Sequence, residues 1–148
     1  MITGLYDLFV AILLASVLTL AISPAMMRLA AKGNLIDRPG SAHHKRHHTA
    51  TPMAGGLVIL AVGALCVLLL QLAESREISG VLIGALVVTV FGIVDDRWNM
   101  AVPYKLFGQF LGAAIIVYSG IQVHITRVIG LDLILTFLWL IGLTNAFN

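Results

Sequence analysis

Charged side chains are scarce in this chain: Asp, Glu, Lys and Arg make up 11% of its 148 residues. A soluble globular domain carries roughly 25% charged residues. Hydrophobic residues make up 59% and the mean hydropathy is +1.01, so a water-soluble fold would leave much apolar surface exposed. The composition excludes an ordinary soluble globule and indicates a protein that crosses the membrane several times.

Cysteine is nearly absent: Cys66 is the only one, which excludes an internal disulfide. It lies inside an apolar run and is interpreted as a small packing residue. The first apolar segment lacks a basic leader and is long enough to span, so we expect a membrane helix there and no cleavable signal peptide. Since no low-complexity linker or repeat is evident, residues 1–148 are interpreted as one membrane domain.

Five uncharged runs predict five membrane-spanning helices, because about 20 apolar residues cross a bilayer as a helix. The expected fold class is therefore all-α, a polytopic transmembrane helical bundle. Near the end of the fourth run, residues 122–128 alternate polar and apolar side chains, which is a weak strand signal. The five runs cover residues 8–27, 49–73, 78–94, 106–126 and 133–148.

Lysine and arginine are distributed unevenly between the loops, with seven after the first and third runs and two on the other side. Because short cytoplasmic loops are enriched in Lys and Arg, we expect the N-terminus outside and both basic loops in the cytoplasm. The acidic pair described next then lies on the cytoplasmic face. The seven residues are Arg28, Lys32, Arg38, Lys45, Arg46, Arg97 and Lys105.

Two adjacent acids, Asp95 and Asp96, follow a run of 17 residues without an ionised side chain. Carboxylates at the membrane edge are costly, so they are a functional-site hypothesis. On a regular helix they point about 100° apart and would not grip one ion together. At a helix end one acid could bind Mg²⁺, which is often held by one or two carboxylates and substrate phosphates. The alternative is a membrane-edge cap or a salt bridge to Arg97 or Lys105.

A basic, histidine-rich loop contains Lys45, Arg46 and His47 and leads to a Gly-Gly pair at residues 55–56. Lys and Arg offer charge and donors to phosphate, and a helix that starts at the glycines would favour an anion. The alternative is anchoring to lipid headgroups. Four histidines within residues 43–48 could bind a transition metal, but a solvated loop is the preferred interpretation. Pro52 is expected to start a helix.

Further polar residues open the fourth run and close the fifth. Lys105 and Gln109 are four residues apart and share a helical face, from which Lys105 could reach a phosphate near the acidic pair. The alternative is a snorkelling lysine and a packing glutamine. Asn145 and Asn148 also share a face, where they could pack against another helix or line a polar cavity.

Taken in order, these residues resemble the polyprenyl-phosphate N-acetylhexosamine-1-phosphate transferases. Within that family the first loop is closer to the UDP-N-acetylglucosamine branch than to the muramoyl-pentapeptide branch. The resemblance rests on Asp37-Arg38-Pro39, Lys45-Arg46-His47, Pro52 with Gly55-Gly56, Gly92 with Asp95-Asp96, Lys105 with Gln109, and Asn145-Ala146-Phe147-Asn148.

The resemblance implies transfer of N-acetylglucosamine-1-phosphate from a UDP-sugar to undecaprenyl phosphate, with release of UMP, at the cytoplasmic face of the bacterial inner membrane. The product would start a lipid-linked cell-envelope polysaccharide, such as O-antigen. The implied cofactor is Mg²⁺ or Mn²⁺, and the implied metal and catalytic residues are Asp95 and Asp96. A lipid bilayer is an expected partner, nucleic acid is not, and a homodimer is compatible. The implied substrate-binding residues are Lys105, Lys45, Arg46, His47, Asn145 and Asn148.

The chain also departs from the family pattern. The family has more spans than the five predicted here, so we expect the N-terminal portion of a larger transferase domain, inactive alone. Asn99 stands where many relatives place a further acid. The main alternative is a truncated, non-catalytic membrane fragment or assembly partner. A channel or transporter subunit ranks lower, because residues 78–94 offer only Ser79 and Thr89 for a polar path.

Overall fold

A computed structural model of the chain describes residues 4–37 and 51–146. Five helices run through this part, and each overlaps one predicted run, which confirms the all-α membrane bundle. Three of them are long and apolar enough to cross a membrane, whereas α2 and α4 are shorter, with 15 and 17 residues. The helices are α1 (Leu5–Lys32), α2 (Gly55–Leu69), α3 (Arg76–Trp98), α4 (Val102–Tyr118) and α5 (Ile129–Ala146).

A two-stranded antiparallel pair precedes α2, formed by β1 (Ile36–Asp37) and β2 (Thr51–Pro52). Pro52 therefore lies in a strand, and the prediction that it starts a helix was wrong. Proline has no N–H to donate, which a short edge strand tolerates. The pair at one end and a turn with Gln71 at φ 55° at the other make α2 shorter than the predicted run.

Helices that are consecutive in sequence pack against each other, so the turns between them alternate between two ends of the bundle. At one end, Arg97 Nη1 donates to the Gly33 carbonyl over 2.7 Å, which joins the end of α3 to the end of α1. At the other end, Arg76 Nη2 donates to the Tyr118 carbonyl over 2.8 Å. The α1–α2 and α3–α4 connections therefore share one end.

Small residues bring α3 and α4 close together, as is common between membrane helices. A Cβ added at Gly84 would lie 2.9 Å from the Gly112 carbonyl oxygen. One added at Gly112 would lie 2.7 Å from Val88 Cγ2. Both distances are shorter than a van der Waals contact, so this approach requires glycine and fixes how the two helices align.

The loop between α4 and α5 forms no strand in residues 122–128, so that weak signal was misleading. Polar side chains of α5 take the place of strand pairing. Asp132 Oδ1 accepts hydrogen bonds from the N–H groups of Ile125 (3.2 Å) and Thr126 (2.8 Å). The Val123 N–H donates to Thr136 Oγ1 over 2.9 Å. Both acceptor residues are buried, so they hold this loop against the start of α5.

Candidate active site

An ion pair joins the end of α3 to the start of α4: Lys105 Nζ lies 2.5 Å from Asp95 Oδ2. The other oxygen, Asp95 Oδ1, accepts the Met100 N–H over 3.1 Å. The Asp95 side chain is 14% exposed and that of Lys105 is 31% exposed. The salt bridge that the sequence left open as an alternative is therefore present for Asp95, at a half-buried position.

The turn between the two helices explains why this pair forms. Asn99 ends α3 with φ 49°, a left-handed conformation that asparagine tolerates better than most residues, and its N–H donates to the Asp95 carbonyl. Pro103 lies in the first turn of α4, where a missing N–H costs nothing. The chain therefore reverses within a few residues, and Lys105 returns to the level of Asp95.

Asp96 has different surroundings from Asp95. Because α3 continues to Trp98, the two carboxylates project from a regular helix, as expected for adjacent acids. Asp96 is exposed and lines a cavity, whereas Asp95 does not. Arg97 turns away towards Gly33, with its guanidinium 5.3 Å from the centre of the Trp98 ring.

The start of α2 lies beside the same cavity. Ala30, Leu35 and Ala54 form a small buried cluster, and Ile93 of α3 packs against it. This cluster fixes residues 55–56, the first two of α2, at the cavity wall. Within the described part of the chain no side chain caps α2. Its first N–H groups lie at the positive end of the helix dipole, where an anion could accept hydrogen bonds from them.

A pair of amides joins α4 to α5: Gln109 Nε2 donates to Asn145 Oδ1 over 3.2 Å. Packing of Asn145 against another helix, one of the two alternatives for that residue, is thus confirmed. Gln109 is only 6% exposed, and its Oε1 has no hydrogen-bond partner among residues 4–37 and 51–146. An unpaired buried acceptor costs about 1–3 kcal/mol, so this side chain requires an explanation.

The cavity has a volume of about 630 Å³ and is bounded by α2, α3, α4 and α5. Its lining is mostly aliphatic and glycine. The polar lining residues are Thr89, Asp96, Lys105, Gln109 and Thr144. It is therefore an apolar space with a charged end at the α3–α4 turn.

The structure brings Asp95, Asp96 and Lys105 together at one end of the bundle, near Gln109 and Asn145. The predicted residues Lys45, Arg46, His47 and Asn148, and the histidines of residues 43–48, lie outside the described residues. Thr89 and Thr144 lie at the cavity wall; Thr89 was considered from the sequence only as part of a polar path, and neither was among the predicted site residues. Thr89 lies seven residues before Asp96, and this helical spacing could have placed both on one face of α3.

The oxygen donors that the described residues bring to the cavity are of the kind that a hard divalent cation binds. In the described ranges, no three His, Cys, Asp or Glu side chains cluster as metal ligands. One exposed carboxylate at a cavity that can admit phosphates is compatible with Mg²⁺, which usually keeps several waters and binds one or two carboxylates. Metal binding and catalysis by Asp95 and Asp96 stay predictions.

Comparisons with known proteins give consistent matches. Residues 78–148 match glycosyl transferase family 4. The probable undecaprenyl-phosphate N-acetylglucosaminyl 1-phosphate transferase of Bacillus subtilis is 29% identical over 148 aligned residues, which cover 94% of this chain and 41% of that protein. The decaprenyl-phosphate N-acetylglucosaminephosphotransferase of Mycobacterium leprae is 31% identical over 121 residues, which cover 69% of this chain and 30% of that protein.

A third relative, the undecaprenyl-phosphate alpha-N-acetylglucosaminyl 1-phosphate transferase of Pasteurella multocida, is 38% identical over 76 residues, 51% of this chain and 20% of that protein. The chain thus spans at most about two fifths of the length of these curated relatives. No solved structure matches it. The stretch that matches the family includes Asp95, Asp96, Lys105 and Asn145.

Proposed function

We propose, because residues 78–148 match glycosyl transferase family 4, that this chain forms part of a polyprenyl-phosphate N-acetylglucosamine-1-phosphate transferase. The names of its relatives support the transferred group and the lipid acceptor. The observation that carries the proposal is the Asp95–Lys105 ion pair beside Asp96, at the charged end of an otherwise apolar cavity.

In the proposed reaction, an oxygen of undecaprenyl phosphate forms a bond to the β-phosphorus of UDP-N-acetylglucosamine. The bond between that phosphorus and the oxygen bridging the two phosphates breaks, and UMP leaves with the bridging oxygen. Enzymes accelerate such transfers chiefly by positioning and by neutralising charge. Lys105 and the uncapped start of α2 supply positive potential where the phosphates would lie.

Mg²⁺ or Mn²⁺ is the cofactor of this proposal, with Asp96 as its protein ligand. When bound, such a cation offsets the negative charge of the diphosphate. Both oxygens of Asp95 already have partners, Lys105 and the Met100 N–H, and this supports a role for Asp95 in positioning Lys105. In this proposal Asp96 binds the cation and Asp95 positions Lys105.

The proposal places the reaction at the cytoplasmic face of the bacterial inner membrane, where it starts a lipid-linked cell-envelope polysaccharide. The positive bias of the two loops at the Asp95 end supports that orientation. The bacterial source of the relatives and the several apolar helices support a multi-pass membrane setting.

The test uses membranes of a host that lacks its own transferase and expresses this chain as part of a complete transferase. We expect UMP release that depends on UDP-N-acetylglucosamine, undecaprenyl phosphate and Mg²⁺. Asp96→Asn should lower the rate at least about 100-fold, because a cation contributes several kcal/mol of charge stabilisation. Asp7→Asn, the same substitution in the first turn of α1, is the matched control and should leave the rate unchanged.

Two results would decide against the proposal. If the Asp96→Asn variant releases UMP at the wild-type rate, Asp96 is not a ligand of the metal. Absence of UMP release from membranes that hold the folded, complete wild-type protein would favour the alternative, a non-catalytic membrane fragment or assembly partner.

A further inference from the structure

The proposed function leaves one neighbour of the acidic pair without a role. Arg97 follows Asp96 directly, yet its side chain does not line the cavity. Its Nη1 donates instead to the Gly33 carbonyl, 64 positions away, over 2.7 Å. The guanidinium lies 5.3 Å from the centre of the Trp98 ring, and such a contact restricts how a planar guanidinium can turn. Arg97 is therefore directed at the end of α1 rather than into the cavity.

Gly33 is the residue at which α1 ends. The last carbonyls of a helix have no partner inside it, and the helix dipole makes this end negative. The Gly33 N–H still donates to the Leu29 carbonyl over 2.9 Å, whereas its own carbonyl accepts from Arg97. Asn34 then turns the chain with a left-handed φ of 61°. A guanidinium suits this position because it brings both a positive charge and a donor.

Beyond Gly33 the chain leads within a few residues to a contact with the start of α2. The Leu35 N–H donates to the Ala30 carbonyl, and the Leu35 carbonyl accepts the Met53 N–H, both over 2.9 Å. The strands β1 and β2 pair directly beside this contact. Ala54, the residue before α2, lies buried in one cluster with Ala30 and Leu35. The end of α1 and the start of α2 therefore form one connected unit.

An apolar contact and a hydrogen bond hold this unit against the end of α3. Ile93 packs against the buried cluster, and Arg97, four residues later on the same face of α3, donates to Gly33. Apolar packing has no direction, whereas a hydrogen bond weakens steeply when its angle changes. We expect the packing to hold the unit close and the hydrogen bond to set its position along α3. The start of α2 and Asp96 line the same cavity, so their relative position then depends on Arg97.

We infer that Arg97 is a positioning residue for the diphosphate of the nucleotide sugar. It fixes the start of α2, whose first N–H groups no described side chain caps, relative to Asp96 and Lys105. The inference rests on the proposed function, which supplies the diphosphate. It adds a residue that acts through the Gly33 carbonyl without touching the substrate.

Arg76, the first residue of α3, makes the same kind of contact at the other end of the bundle. Its Nη2 donates to the Tyr118 carbonyl over 2.8 Å, and its guanidinium lies 5.1 Å from the centre of the Tyr118 ring. Both arginines thus join one end of α3 to a carbonyl at the end of another helix. Arg76→Gln is therefore the matched control for Arg97→Gln.

The first measurement is amide hydrogen exchange of the full chain in nanodiscs. In Arg97→Gln we expect the amides of Leu35 and Met53 to exchange at least about fivefold faster, because a charge-assisted hydrogen bond that supports them is lost. Arg76→Gln should leave both rates unchanged. Arg97→Lys keeps a donor and a positive charge, so its rates should lie closer to wild type than those of Arg97→Gln. Equal rates in wild type and Arg97→Gln would overturn the inference.

The second measurement is UMP release by the complete transferase at varied concentrations of UDP-N-acetylglucosamine. Arg97→Gln should raise the KM about fivefold and leave kcat within about twofold, because the start of α2 would bind the phosphates equally in the ground state and the transition state. A loss of folded protein alone would lower the maximal rate and leave the KM unchanged. Arg76→Gln should keep the wild-type KM, and Arg97→Lys should bring the KM back towards the wild-type value.

The two measurements separate the inference from its alternatives. A raised KM with unchanged exchange would mean that Arg97 contacts the substrate itself, and the positioning role would be wrong. A wild-type KM in Arg97→Gln, measured beside an active wild-type enzyme, would refute the inference alone. Absence of UMP release from the folded, complete wild-type protein would refute the proposed function, and this inference with it.

Discussion

The close approach of α3 and α4 predicts that Gly84→Ala destabilises the protein. The new Cβ would lie 2.9 Å from the backbone oxygen of Gly112 and 2.8 Å from Ile116 Cγ1. A backbone atom cannot rotate away, so the two helices must separate by several tenths of an ångström. Overpacking of this kind costs about 1–3 kcal/mol.

Part of that cost is offset within α3 itself, because alanine stabilises a helix by about 1 kcal/mol relative to glycine. We therefore expect a net loss of about 1–2 kcal/mol in the free energy of unfolding. Gly142→Ala isolates the packing effect: it has the same chemistry inside α5, with nothing within 4 Å of the added Cβ in the described part of the chain. This control should be neutral or slightly stabilising.

The assay is thermal unfolding of the purified chain in one detergent, followed by far-UV circular dichroism. We expect the Tm of Gly84→Ala to fall by a few degrees below wild type and further below Gly142→Ala. The reasoning is refuted if the two alanine variants unfold at the same temperature, because the added methyl group would then have met no steric cost.

Two other substitutions test the site and the opposite loop. Lys105→Gln removes the partner of Asp95; because the pair is partly exposed, stability should fall by only about 1 kcal/mol, whereas UMP release should fall about 100-fold. Activity that falls only with the amount of folded protein, measured by the same dichroism signal, would contradict this. Asp132→Ala removes the acceptor of two loop N–H groups, so amide hydrogen exchange at Ile125 and Thr126 should speed up at least about tenfold. Unchanged exchange there would show that other contacts hold the loop.

The helices could be predicted from the sequence because hydrophobic runs between charges need no tertiary information. Their ends could not. The predicted second run, residues 49–73, includes the strand Thr51–Pro52, which depends on pairing with a segment 15 positions away. The predicted start of the fourth run missed Val102 and Pro103, which belong to α4 although they precede the charge of Lys105.

The site could be predicted in part. The sequence placed Asp95 and Lys105 on one side of the membrane, and a short turn was enough to bring them together. It could not choose between packing and catalytic alternatives for Gln109 and Asn145, because their hydrogen bond joins residues 36 positions apart. The cavity between the helices depends on where glycines permit close contact and where they leave space, which a linear pattern does not show.

The small β1–β2 pair has a consequence for residues 38–50, which it joins at both ends. Folding has already met the entropic cost of closing this loop. Lys45 lies six positions before Thr51, so its Cα stays within about 21 Å of that strand on any path, and the Cα of His47 stays within about 14 Å.

The basic tripeptide Lys45-Arg46-His47 is covalently connected to the strand that precedes α2. Covalent geometry alone therefore limits how far Lys45, Arg46 and His47 can lie from the start of α2. The β1–β2 pair thereby makes any encounter of these three residues with an anion at the charged end of the cavity an event within one molecule.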